Sequence, residues 1–455
     1  MFIDFLSGIF QEFRDQPWMI WKNSEHTYGS LGQQILTWGR TLDAQAVGPG
    51  DVVALTGDFS PGSVAAFLAL VERRCVIVPL TEAVAKKRDE FLSVAQANVS
   101  IAFTGGDAHE VARLPATPDH TLYADLRGRD HPGLVLFSSG SSGKSKAAVH
   151  DLVPMLEKFK LRKRRMRTIA FLLFDHIGGV NTMFYTLSNG GTLVVVPDRS
   201  PDSVLGAIER HAVELLPTSP TFINLILLSE AYRRHDLSSL TTVTYGTEPM
   251  PDSTLTRFAE IAPHVKMQQT YGLSELGILR SKSRDSRSTW VKIGGDGFQT
   301  RVVDGILQIQ AVSAMLGYLN AESPFTDDGW FDTGDLVTVD GEYMQIHGRR
   351  SELINVGGEK VHPAEVESVI EGLPSVAEVT VYGEKNPIVG QMVCARVRKA
   401  DDTPDGVVRR DIKQLCAQRL ARFKVPVRIT FASAPQHSAR FKKQRHHGDE
   451  PPTVS

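Results

Sequence analysis

A loop of serines and glycines followed by lysines is the first stretch of this sequence whose residue types could do chemistry. It follows the apolar run LVLF at residues 134–137, and Lys144 and Lys146 stand at its end. Hydroxyls and unobstructed backbone N–H groups surround phosphate oxygens, and lysines add positive charge. The sequence therefore predicts a phosphate-binding loop, with a linker between domains as the alternative. The loop consists of Ser138, Ser139, Gly140, Ser141, Ser142 and Gly143.

This loop has two interpretations, which lead to different enzymes. SSGSSGKS resembles the Walker A pattern, which ends in Gly-Lys-Ser after a strand, although Ser138 stands where that pattern has glycine. In this interpretation FLLFD at 171–175 supplies a strand and an aspartate that holds magnesium. The second interpretation depends on the motifs that follow the loop.

Five motifs follow the loop: FDHIGG from Phe174, YGTEP from Tyr245, QQTYGLSELG from Gln268, GWFDTGDL from Gly329 and GRRSELINVGGEKVHPAEVE from Gly348. In this order they resemble the adenylate-forming superfamily, which comprises acyl-CoA and aryl-CoA ligases, peptide-synthetase adenylation domains and luciferases. The resemblance extends over nearly the whole chain. The Walker interpretation explains only the first loop, so we reject it.

The resemblance implies a role for each motif in binding ATP. The serine-glycine loop and Lys146 would hold the β and γ phosphates, and Asp335, assisted by Arg349, would accept hydrogen bonds from both ribose hydroxyls. Two short segments would line the adenine and the α-phosphate. They consist of Gly246, Thr247 and Glu248, and of Thr270, Tyr271 and Gly272.

Glu275 in QQTYGLSELG matches the magnesium-binding glutamate of the superfamily. A hard cation prefers such a carboxylate oxygen. Its task would be to bridge phosphate oxygens while a carboxylate oxygen attacks the α-phosphorus. Taken alone, Glu275 would be an ordinary surface glutamate.

His176 indicates the class of acid. In acyl- and aryl-CoA ligases a histidine and a downstream glycine form a gate beside the carboxylate, and His176 and Gly179 fit that spacing. Peptide-synthetase domains instead place an aspartate nearby, and Asp175 is adjacent. The distance from His176 to the later strand NGGTLVVV matches that of the histidine in the CoA ligases. This match favours an acid without an α-amino group. The pocket is expected between a strand at HIGG, the segment 245–250 and Tyr271; a core histidine is the alternative for His176.

The end of the chain carries the catalytic lysine of the superfamily, usually in a Gly-Lys-x-x-Arg pattern. Aligning APQHSARFKKQRHH on Arg445 makes Lys442 that lysine, with Phe441 in place of glycine. Lys443 is the alternative. The lysine would stabilise the charge that develops between the carboxylate and the α-phosphate.

The resemblance also implies a small C-terminal domain that rotates between two half-reactions. We predict an adenylation domain at 1–350 and a mobile domain at 351–455, with a hinge near Ser351. Gly357 and Gly358 would let the chain approach the pantetheine thiol, because glycine has no obstructing side chain. An ordinary turn is the alternative for this pair.

The elements that must position these residues can be predicted from the sequence pattern. DVVALTG, PGSVAAFLALVERR and CVIVPL read as a βαβ unit, as do GTLVVVP, DSVLGAIERH and AVELLPTSP. Near residue 300, short runs separated by Asp-Gly turns predict antiparallel hairpins. The predicted fold class is α/β, with a large N-terminal domain of parallel and mixed sheets, helices and a β-rich layer, and a small mobile C-terminal α+β domain.

Composition limits the function and the compartment. The chain has 455 residues, a net charge of −2 and only three cysteines, widely separated. These values argue against a general nucleic-acid binder, a disulfide framework and a zinc site. The apolar start MFIDFLSGIF predicts an amphipathic helix rather than a signal peptide, and no run approaches the roughly 20 residues of a membrane span. We expect a cytoplasmic protein.

One basic run, KFKLRKRRMRT from Lys158 to Thr168, has no explanation in the superfamily. It is either a solvated helix face or a positive patch at the mouth of the active site. Such a patch would attract the phosphates of CoA or an acidic acyl carrier protein.

These observations together predict an AMP-forming acid–thiol ligase. It would convert a carboxylic acid and MgATP to acyl-AMP and pyrophosphate, then transfer the acyl group to CoA. The alternatives are an adenylation enzyme that loads the phosphopantetheine of a carrier protein or another nucleophile, and a non-catalytic nucleotide-binding relative. The sequence leaves the acid and the oligomeric state open.

Overall fold

The structure is a computed structural model that describes residues 2–139, 145–438 and 440–443. The described residues form twelve α-helices: α1 (Asp4–Glu12), α2 (Tyr28–Ala44), α3 (Pro61–Glu72), α4 (Arg88–Val94), α5 (Thr121–Arg129), α6 (Leu152–Leu156), α7 (Ile177–Ser188), α8 (Pro201–His211), α9 (Pro220–Ser229), α10 (Asp252–Ile261), α11 (Pro363–Ile370) and α12 (Asp405–Arg419).

The same residues form strands that belong to five sheets. The strands are β1 (Pro17–Trp21), β2 (Ser24–Thr27), β3 (Val52–Thr56), β4 (Val76–Leu80), β5 (Val99–Phe103), β6 (His109–Arg113), β7 (Gly133–Ser139), β8 (Ser145–Asp151), β9 (Arg167–Ile169), β10 (Thr192–Val194), β11 (Leu215–Thr218), β12 (Thr242–Tyr245), β13 (Lys266–Gln269), β14 (Gly272–Leu273), β15 (Gly277–Ile278), β16 (Ser281–Ser283), β17 (Trp290–Ile293), β18 (Phe298–Val303), β19 (Ile306–Ala311), β20 (Gly317–Tyr318), β21 (Phe331–Asp340), β22 (Tyr343–Arg349), β23 (Ile354–Val356), β24 (Glu359–Val361), β25 (Val376–Asn386), β26 (Gly390–Lys399) and β27 (Arg428–Phe431).

Two seven-stranded sheets form the body of the N-terminal part. Their strand orders are β13-β12-β11-β9-β10-β1-β2 and β20-β8-β7-β4-β3-β5-β6. β3 and β4 are parallel and joined by α3, as the βαβ pattern predicted. One apolar cluster contains side chains of both sheets and of α2, α3 and α7. The core therefore lies where the helices cover the sheets.

Three of the helices begin with the same dipeptide, serine followed by proline. Ser60, Ser200 and Ser219 are the N-caps of α3, α8 and α9, and each side chain accepts a hydrogen bond from a backbone N–H of the first turn. Proline at the next position has a backbone angle already suited to the helix and loses no hydrogen bond there. These local signals fix where each helix begins against its sheet.

A third sheet is antiparallel and follows the order β16-β17-β22-β21-β19-β18. Its hairpins agree with the prediction for the region after residue 300. Asp304 and Gly305, both with positive φ, form the turn between β18 and β19. The pairing of β21 with β22 sets Asp335 opposite Arg349, so this sheet brings two of the predicted ATP-binding residues together.

The C-terminal part is a small sheet of β24, β23, β26, β25 and β27 with α11 and α12 against it. Its apolar cluster is separate from those of the N-terminal part. The predicted fold class is thus confirmed. The boundary at 350 falls in a single 3-10 turn, Arg350–Glu352, and stays a prediction.

No helix in residues 2–139, 145–438 and 440–443 combines the length and apolar character needed to span a membrane.

Gly179 is expected to be essential for the placement of α7. A Cβ atom at this position would lie 1.9 Å from the carbonyl oxygen of Leu173. Gly179→Ala should therefore lower the free energy of unfolding by about 1–3 kcal/mol or more, because backbone must move to relieve the overlap. Chemical unfolding measures the change.

Gly32→Ala is the matched control for this variant. Gly32 lies in the interior of α2, and a Cβ atom there would meet no atom within 4 Å. Alanine should raise stability by about 0.5–1 kcal/mol through helix propensity. Similar effects of the two variants would show that the crowding at Gly179 is not real.

Candidate active site

Two adjoining cavities contain most of the described residues that the sequence analysis selected. The main cavity has a volume of about 200 Å³ and is lined by Ser138, His176, Glu275 and Lys442, among others. The side cavity has a volume of about 70 Å³ and is lined by Tyr271 and Asp335, among others. Six residues line both cavities: Thr247, Thr270, Gly272, Leu273, Arg349 and Lys442.

A wider cleft of about 670 Å³ lies between the N-terminal part and the C-terminal part. Its lining includes His347, His362 and Lys443 but neither His176, Glu275 nor Lys442. The cleft is the largest of the cavities described, but the predicted catalytic groups do not line it. We therefore place the candidate site in the two smaller cavities.

The phosphate loop joins two antiparallel strands. β7 ends at Ser139 and β8 begins at Ser145, and the two strands pair along their whole length. A Walker A loop leads from a strand into a helix, so this topology excludes the Walker interpretation. The rest of the loop, Gly140, Ser141, Ser142 and Gly143, lies outside the described residues.

Asn320 fixes the far end of this loop. Its side-chain amide donates to the carbonyl of Ser145 at 2.9 Å and accepts from the N–H of Ala147 at 3.0 Å. These residues flank Lys146, whose ammonium lies 5.1 Å from the ring centroid of Tyr318. Lys146 is therefore held where the loop rejoins the sheet.

Glu275 lines the main cavity and is oriented by a tyrosine. The hydroxyl of Tyr318 donates to its carboxylate at 2.7 Å. Because β20 pairs with β8, Tyr318 connects Glu275 with the strand that carries Lys146. Within the described residues, no cluster of three or more His, Cys, Asp or Glu side chains could hold a metal ion. A single carboxylate fits magnesium that is bound mainly by phosphate oxygens and water.

Asp335 is a buried carboxylate that faces the side cavity. The hydroxyl of Tyr271 donates to it at 2.5 Å, and the Arg349 guanidinium lies 3.4 Å away. Burial raises the pKa of Asp335, while the charges of Arg349 and Lys442 oppose this shift. The carboxylate is thus a fixed acceptor that suits a pair of hydroxyls.

The two predicted adenine segments lie side by side along the cavities. β12 and β13 are parallel neighbours, and Gly246 and Thr270 follow their ends. A Cβ atom at Gly246 would lie 2.8 Å from the carbonyl of Thr270, so glycine is needed for this approach. Thr247 has a positive φ of 76°. Glu248 accepts a hydrogen bond from the Thr221 hydroxyl at 3.0 Å.

His176 is the N-cap of α7, so the predicted strand at HIGG is wrong. Its Nδ1 accepts a hydrogen bond from the N–H of Gly178 at 3.0 Å. Burial lowers the pKa of His176 to about 3, and the nearby charges of Arg440 and Lys442 act in the same direction. The imidazole is therefore neutral, and its Nε2–H is the group that can donate a hydrogen bond.

Asp175 does not line either cavity, although it precedes His176. It is buried, accepts a hydrogen bond from the Thr81 hydroxyl at 2.9 Å and forms an ion pair with Arg440 at 3.2 Å. With Arg440 as its counter-ion, this carboxylate is poorly placed to bind a substrate amine.

Lys442 and Lys443 point to different places. Lys442 lines both cavities, and its charge acts on His176 and Asp335. The ammonium of Lys443 instead forms ion pairs with Glu371 at 2.5 Å and Glu367 at 3.2 Å. The geometry supports the register in which Lys442 is the catalytic lysine. Arg445, on which that register was aligned, lies outside the described residues.

Gly357 and Gly358 are not brought to these cavities. They form the turn between β23 and β24, and both have positive φ values, 61° and 92°. Glycine suits such a two-residue hairpin turn. This arrangement corresponds to the ordinary turn that the sequence analysis left as the alternative.

The basic run does not form a helix face. Arg162 and Arg164 form ion pairs with Glu12 and Glu214, and the ring of Phe13 lies 4.9 Å from the Arg165 guanidinium. None of these three partners is among the residues that line the cavities. The contacts place these arginines against α1 and the start of β11.

Lys158, at the start of this run, is a half-buried lysine. Its ammonium donates to Asn181 at 2.7 Å and to the carbonyl of Ile278 at 2.8 Å. Burial lowers the pKa of Lys158 to about 7. The ammonium of this member of the basic run is therefore bound by neighbouring groups of the protein.

Comparison with known proteins identifies the family of the chain. A family model for AMP-binding enzymes matches residues 9–304, and the model for the C-terminal domain of AMP-binding enzymes matches residues 365–442. The chain belongs to the AMP-binding enzyme family. The resemblance to the adenylate-forming superfamily is thereby confirmed.

Two curated relatives of this AMP-binding enzyme are CoA ligases by name. A feruloyl-CoA synthase from an Amycolatopsis species is 30% identical over 450 residues, which covers 89% of each chain. An indoleacetate–CoA ligase from Aromatoleum aromaticum is 29% identical, covering 67% of this chain and 64% of the relative.

Solved structures share the fold at lower identity. The anthranilate CoA ligase AuaEII, in complex with anthranoyl-AMP, is 22% identical with a TM-score of 0.83, covering 98% of this chain and 95% of the other. ATP-bound MatB from Rhodopseudomonas palustris is also 22% identical, with a TM-score of 0.79, covering 96% of each chain.

Sequence reasoning missed several side chains at the site of this AMP-binding enzyme. Tyr318, Asn320 and Arg440 were not selected, although they contact Glu275, the phosphate loop and Asp175. Each of these contacts joins residues that are at least 43 positions apart in the sequence. The one usable signal was GYLN, which follows a turn and carries an aromatic and an amide side chain.

Replacing Lys442 and Lys443 one at a time tests which of them corresponds to the catalytic lysine of the superfamily. Lys442→Ala should slow acyl-AMP formation by about 10²-fold or more, because it removes a charge at the site where negative charge develops. Lys443→Ala removes the same charge one residue away and should have a much smaller effect. Acid-dependent release of pyrophosphate measures both. The opposite ranking would show that the register is off by one.

The neutral state of His176 makes a testable contribution to acid sensitivity. The unfolded chain protonates this histidine near pH 6.5, but the folded protein does so only near pH 3. The unfolded state therefore binds more protons between these values, and stability falls as the pH falls through this range.

His176→Asn should remove this contribution. Between pH 7.5 and pH 5, the free energy of unfolding should decrease by about 1–2 kcal/mol more in the wild type than in the variant. Urea unfolding at both pH values measures the difference. An equal pH dependence of the two proteins would contradict a neutral His176.

Proposed function

We infer that this AMP-binding enzyme is an AMP-forming acid–thiol ligase that joins a carboxylic acid to CoA through acyl-AMP. The observation that carries the inference is the convergence of Lys442, Glu275 and His176 on one cavity, beside the Asp335 and Arg349 pair. The names of the related proteins, a feruloyl-CoA synthase and an indoleacetate–CoA ligase, support the same activity.

In the first half-reaction, a carboxylate oxygen of the acid attacks the α-phosphorus of ATP and pyrophosphate leaves. Asp335 would hold the ribose through its acceptor oxygens, and the segments at Gly246 and Thr270 would border the base. Lys442 would stabilise the negative charge that develops between the carboxylate and the α-phosphate. The neutral Nε2–H of His176 would orient the acid by a hydrogen bond.

We propose Mg²⁺ as the metal and Glu275 as its protein ligand. The ion, when bound, neutralises charge on the phosphate oxygens. Tyr318 would keep the Glu275 carboxylate in place through the hydrogen bond already formed. Ser138 and Lys146 flank the loop that would surround the β and γ phosphates.

In the second half-reaction, the thiol sulfur attacks the acyl carbon, its proton is lost and AMP leaves. We propose CoA as the thiol donor. The turn at Gly357 and Gly358 would reach the pantetheine after rotation of a C-terminal domain that begins near residue 351. The names of the related proteins, a feruloyl-CoA synthase and an indoleacetate–CoA ligase, favour CoA over a carrier protein.

A small or aromatic acid without an α-amino group is the proposed substrate class. The wall of the main cavity near His176 is apolar, with Phe171, Leu172, Leu173, Ile177 and Ile278. Its volume of about 200 Å³ leaves little room for a long acyl chain. Asp175, the carboxylate nearest to His176 in sequence, is already paired with Arg440.

We propose that the enzyme works in the cytoplasm. Cys75, Cys394 and Cys416 are free thiols, which suits a reducing compartment.

Nucleotide product analysis tests the function. The enzyme is incubated with MgATP and one member of a panel of aryl, short-chain, long-chain and amino acids, with and without CoA. We expect AMP and pyrophosphate with aryl or small acids, and a thioester only with CoA. Lys442→Ala is the matched control, which should retain folding but lose most of the product.

The other outcomes would each reject a part of the proposal. ADP as the product would reject the AMP-forming mechanism. Acyl-AMP that accumulates unchanged in the presence of CoA would reject CoA as the acceptor. Preference for amino acids would reject the substrate class. ATP binding without any product across the panel would favour a non-catalytic relative.

A further inference from the structure

The tail that carries Lys442 is a tight hairpin. Ser438 donates its N–H to the carbonyl of Lys442 at 2.9 Å, and Phe441 donates its N–H to the carbonyl of Ser438 at 2.9 Å. His437 and Lys443 form an antiparallel bridge at the base of this turn. The position of Lys442 therefore depends on whatever holds the hairpin.

The side chain of Phe441 packs against the apolar core of the N-terminal part and also lines the main cavity. Its ring centroid lies 5.3 Å from that of Phe171 and 5.2 Å from that of Phe222, and both partners are almost fully buried. The ring also stacks on His437 at 5.0 Å. We call the space between Phe171 and Phe222 the phenylalanine slot. Aromatic rings at these distances attract one another in addition to burying apolar area.

The backbone of Phe441 is held as firmly as its ring. Its φ is +50°, a conformation that residues with a Cβ atom rarely adopt. The Ser219 hydroxyl donates to its carbonyl at 2.9 Å, and Ser219 is also the N-cap of α9. The superfamily resemblance places glycine here, which would adopt this φ without strain. The contacts of the ring with Phe171 and Phe222 can offset the strain of a phenylalanine at this φ.

Neighbouring residues hold the hairpin from both sides of Lys442. Arg440 pairs with Asp175 at 3.2 Å in the N-terminal part. On the other side, Lys443 pairs with Glu367 of α11 and with Glu371, the C-cap of that helix. Between these two sets of ion pairs in the sequence, Phe441 makes an apolar contact, and it directly precedes Lys442.

We propose that Phe441 is a positioning residue for acyl-AMP formation, which docks in the phenylalanine slot and holds Lys442 in the main cavity. The proposal rests on the proposed ligase function. It also requires that Phe441 leave the slot when the C-terminal domain rotates for thioester formation. The ring should therefore matter for the first half-reaction and not for the second.

Three variants of the full-length protein separate the ring from the backbone. Phe441→Ala removes the ring and keeps the Cβ atom, Phe441→Gly also removes the backbone strain, and Phe441→Leu keeps an apolar side chain for the slot. Phe431→Ala is the control, because Phe431 lies in β27 and its ring contacts Arg409 and Lys399 of the C-terminal part.

The two half-reactions are measured separately for each variant. Phe441→Ala should slow acid-dependent pyrophosphate release about 10- to 100-fold, since a misplacement of about 1 Å can cost about 10²-fold in rate. Thioester formation from supplied acyl-AMP and CoA should stay at the wild-type rate. Phe441→Leu should recover part of the loss and Phe441→Gly should not. Phe431→Ala should leave the ratio of the two rates unchanged.

A parallel loss in both half-reactions would reduce Phe441 to a structural residue and overturn the proposal. Unchanged pyrophosphate release in Phe441→Ala would overturn it as well. Recovery by Phe441→Gly but not by Phe441→Leu would show that the backbone, and not the ring, matters.

Trypsin cleavage after Arg440 and Lys442, followed by mass spectrometry, gives a readout that needs no turnover. Cleavage at these sites should be faster in Phe441→Ala than in the wild type and in Phe431→Ala. Equal cleavage would overturn the docking of Phe441 even if no acid is activated. Faster cleavage together with a wild type that activates no acid would leave the docking intact and reject the proposed function.

Discussion

The site depends on one constraint: a lysine on a C-terminal tail must be held in a cavity built by the N-terminal sheets. The ammonium of Lys442 faces a region that already contains the buried carboxylate of Asp335 and the neutral imidazole of His176. In such a poorly hydrated region each charge acts strongly on its neighbours. The low pKa of His176 and the raised pKa of Asp335 both follow from this burial. The chemistry assigned to the site requires the same arrangement, because a charge that develops there is stabilised with little reorganisation of solvent.

Much of the site could be predicted because its motifs are local. A loop of small residues, a carboxylate after Tyr-Gly and an aspartate after Thr-Gly can each be recognised within a short stretch of chain. The fold class also followed from pattern, since alternation of strands and helices predicts parallel sheet. The start of α7 was mistaken for a strand because the run FLLF before it is short and apolar, and periodicity cannot separate a short strand from a turn leading into a helix.

The remaining features could not be predicted because they join distant parts of the chain. Lys442 and Lys443 are adjacent, and the carboxylates that bind Lys443, those of Glu367 and Glu371, lie more than seventy positions earlier. The acidic partners of Arg162 and Arg164 are Glu12 in α1 and Glu214, so the composition of the basic run could not reveal these ion pairs. Tyr318 reaches Glu275 only because β20 adds to the edge of the sheet beside β8.

The ion pair between Asp175 and Arg440 has a consequence for the cycle of the enzyme. Asp175 is 3% exposed and, apart from Arg440, is contacted by Thr81. In the proposed domain rotation, the guanidinium would leave and water would have to enter to hydrate the carboxylate, since a buried charge without a counter-ion is strongly disfavoured. Such an opening would hydrate Asp175 as well as move the C-terminal part. The same carboxylate would lose that water before the next acid is activated, so hydration of one side chain would alternate with the two proposed half-reactions.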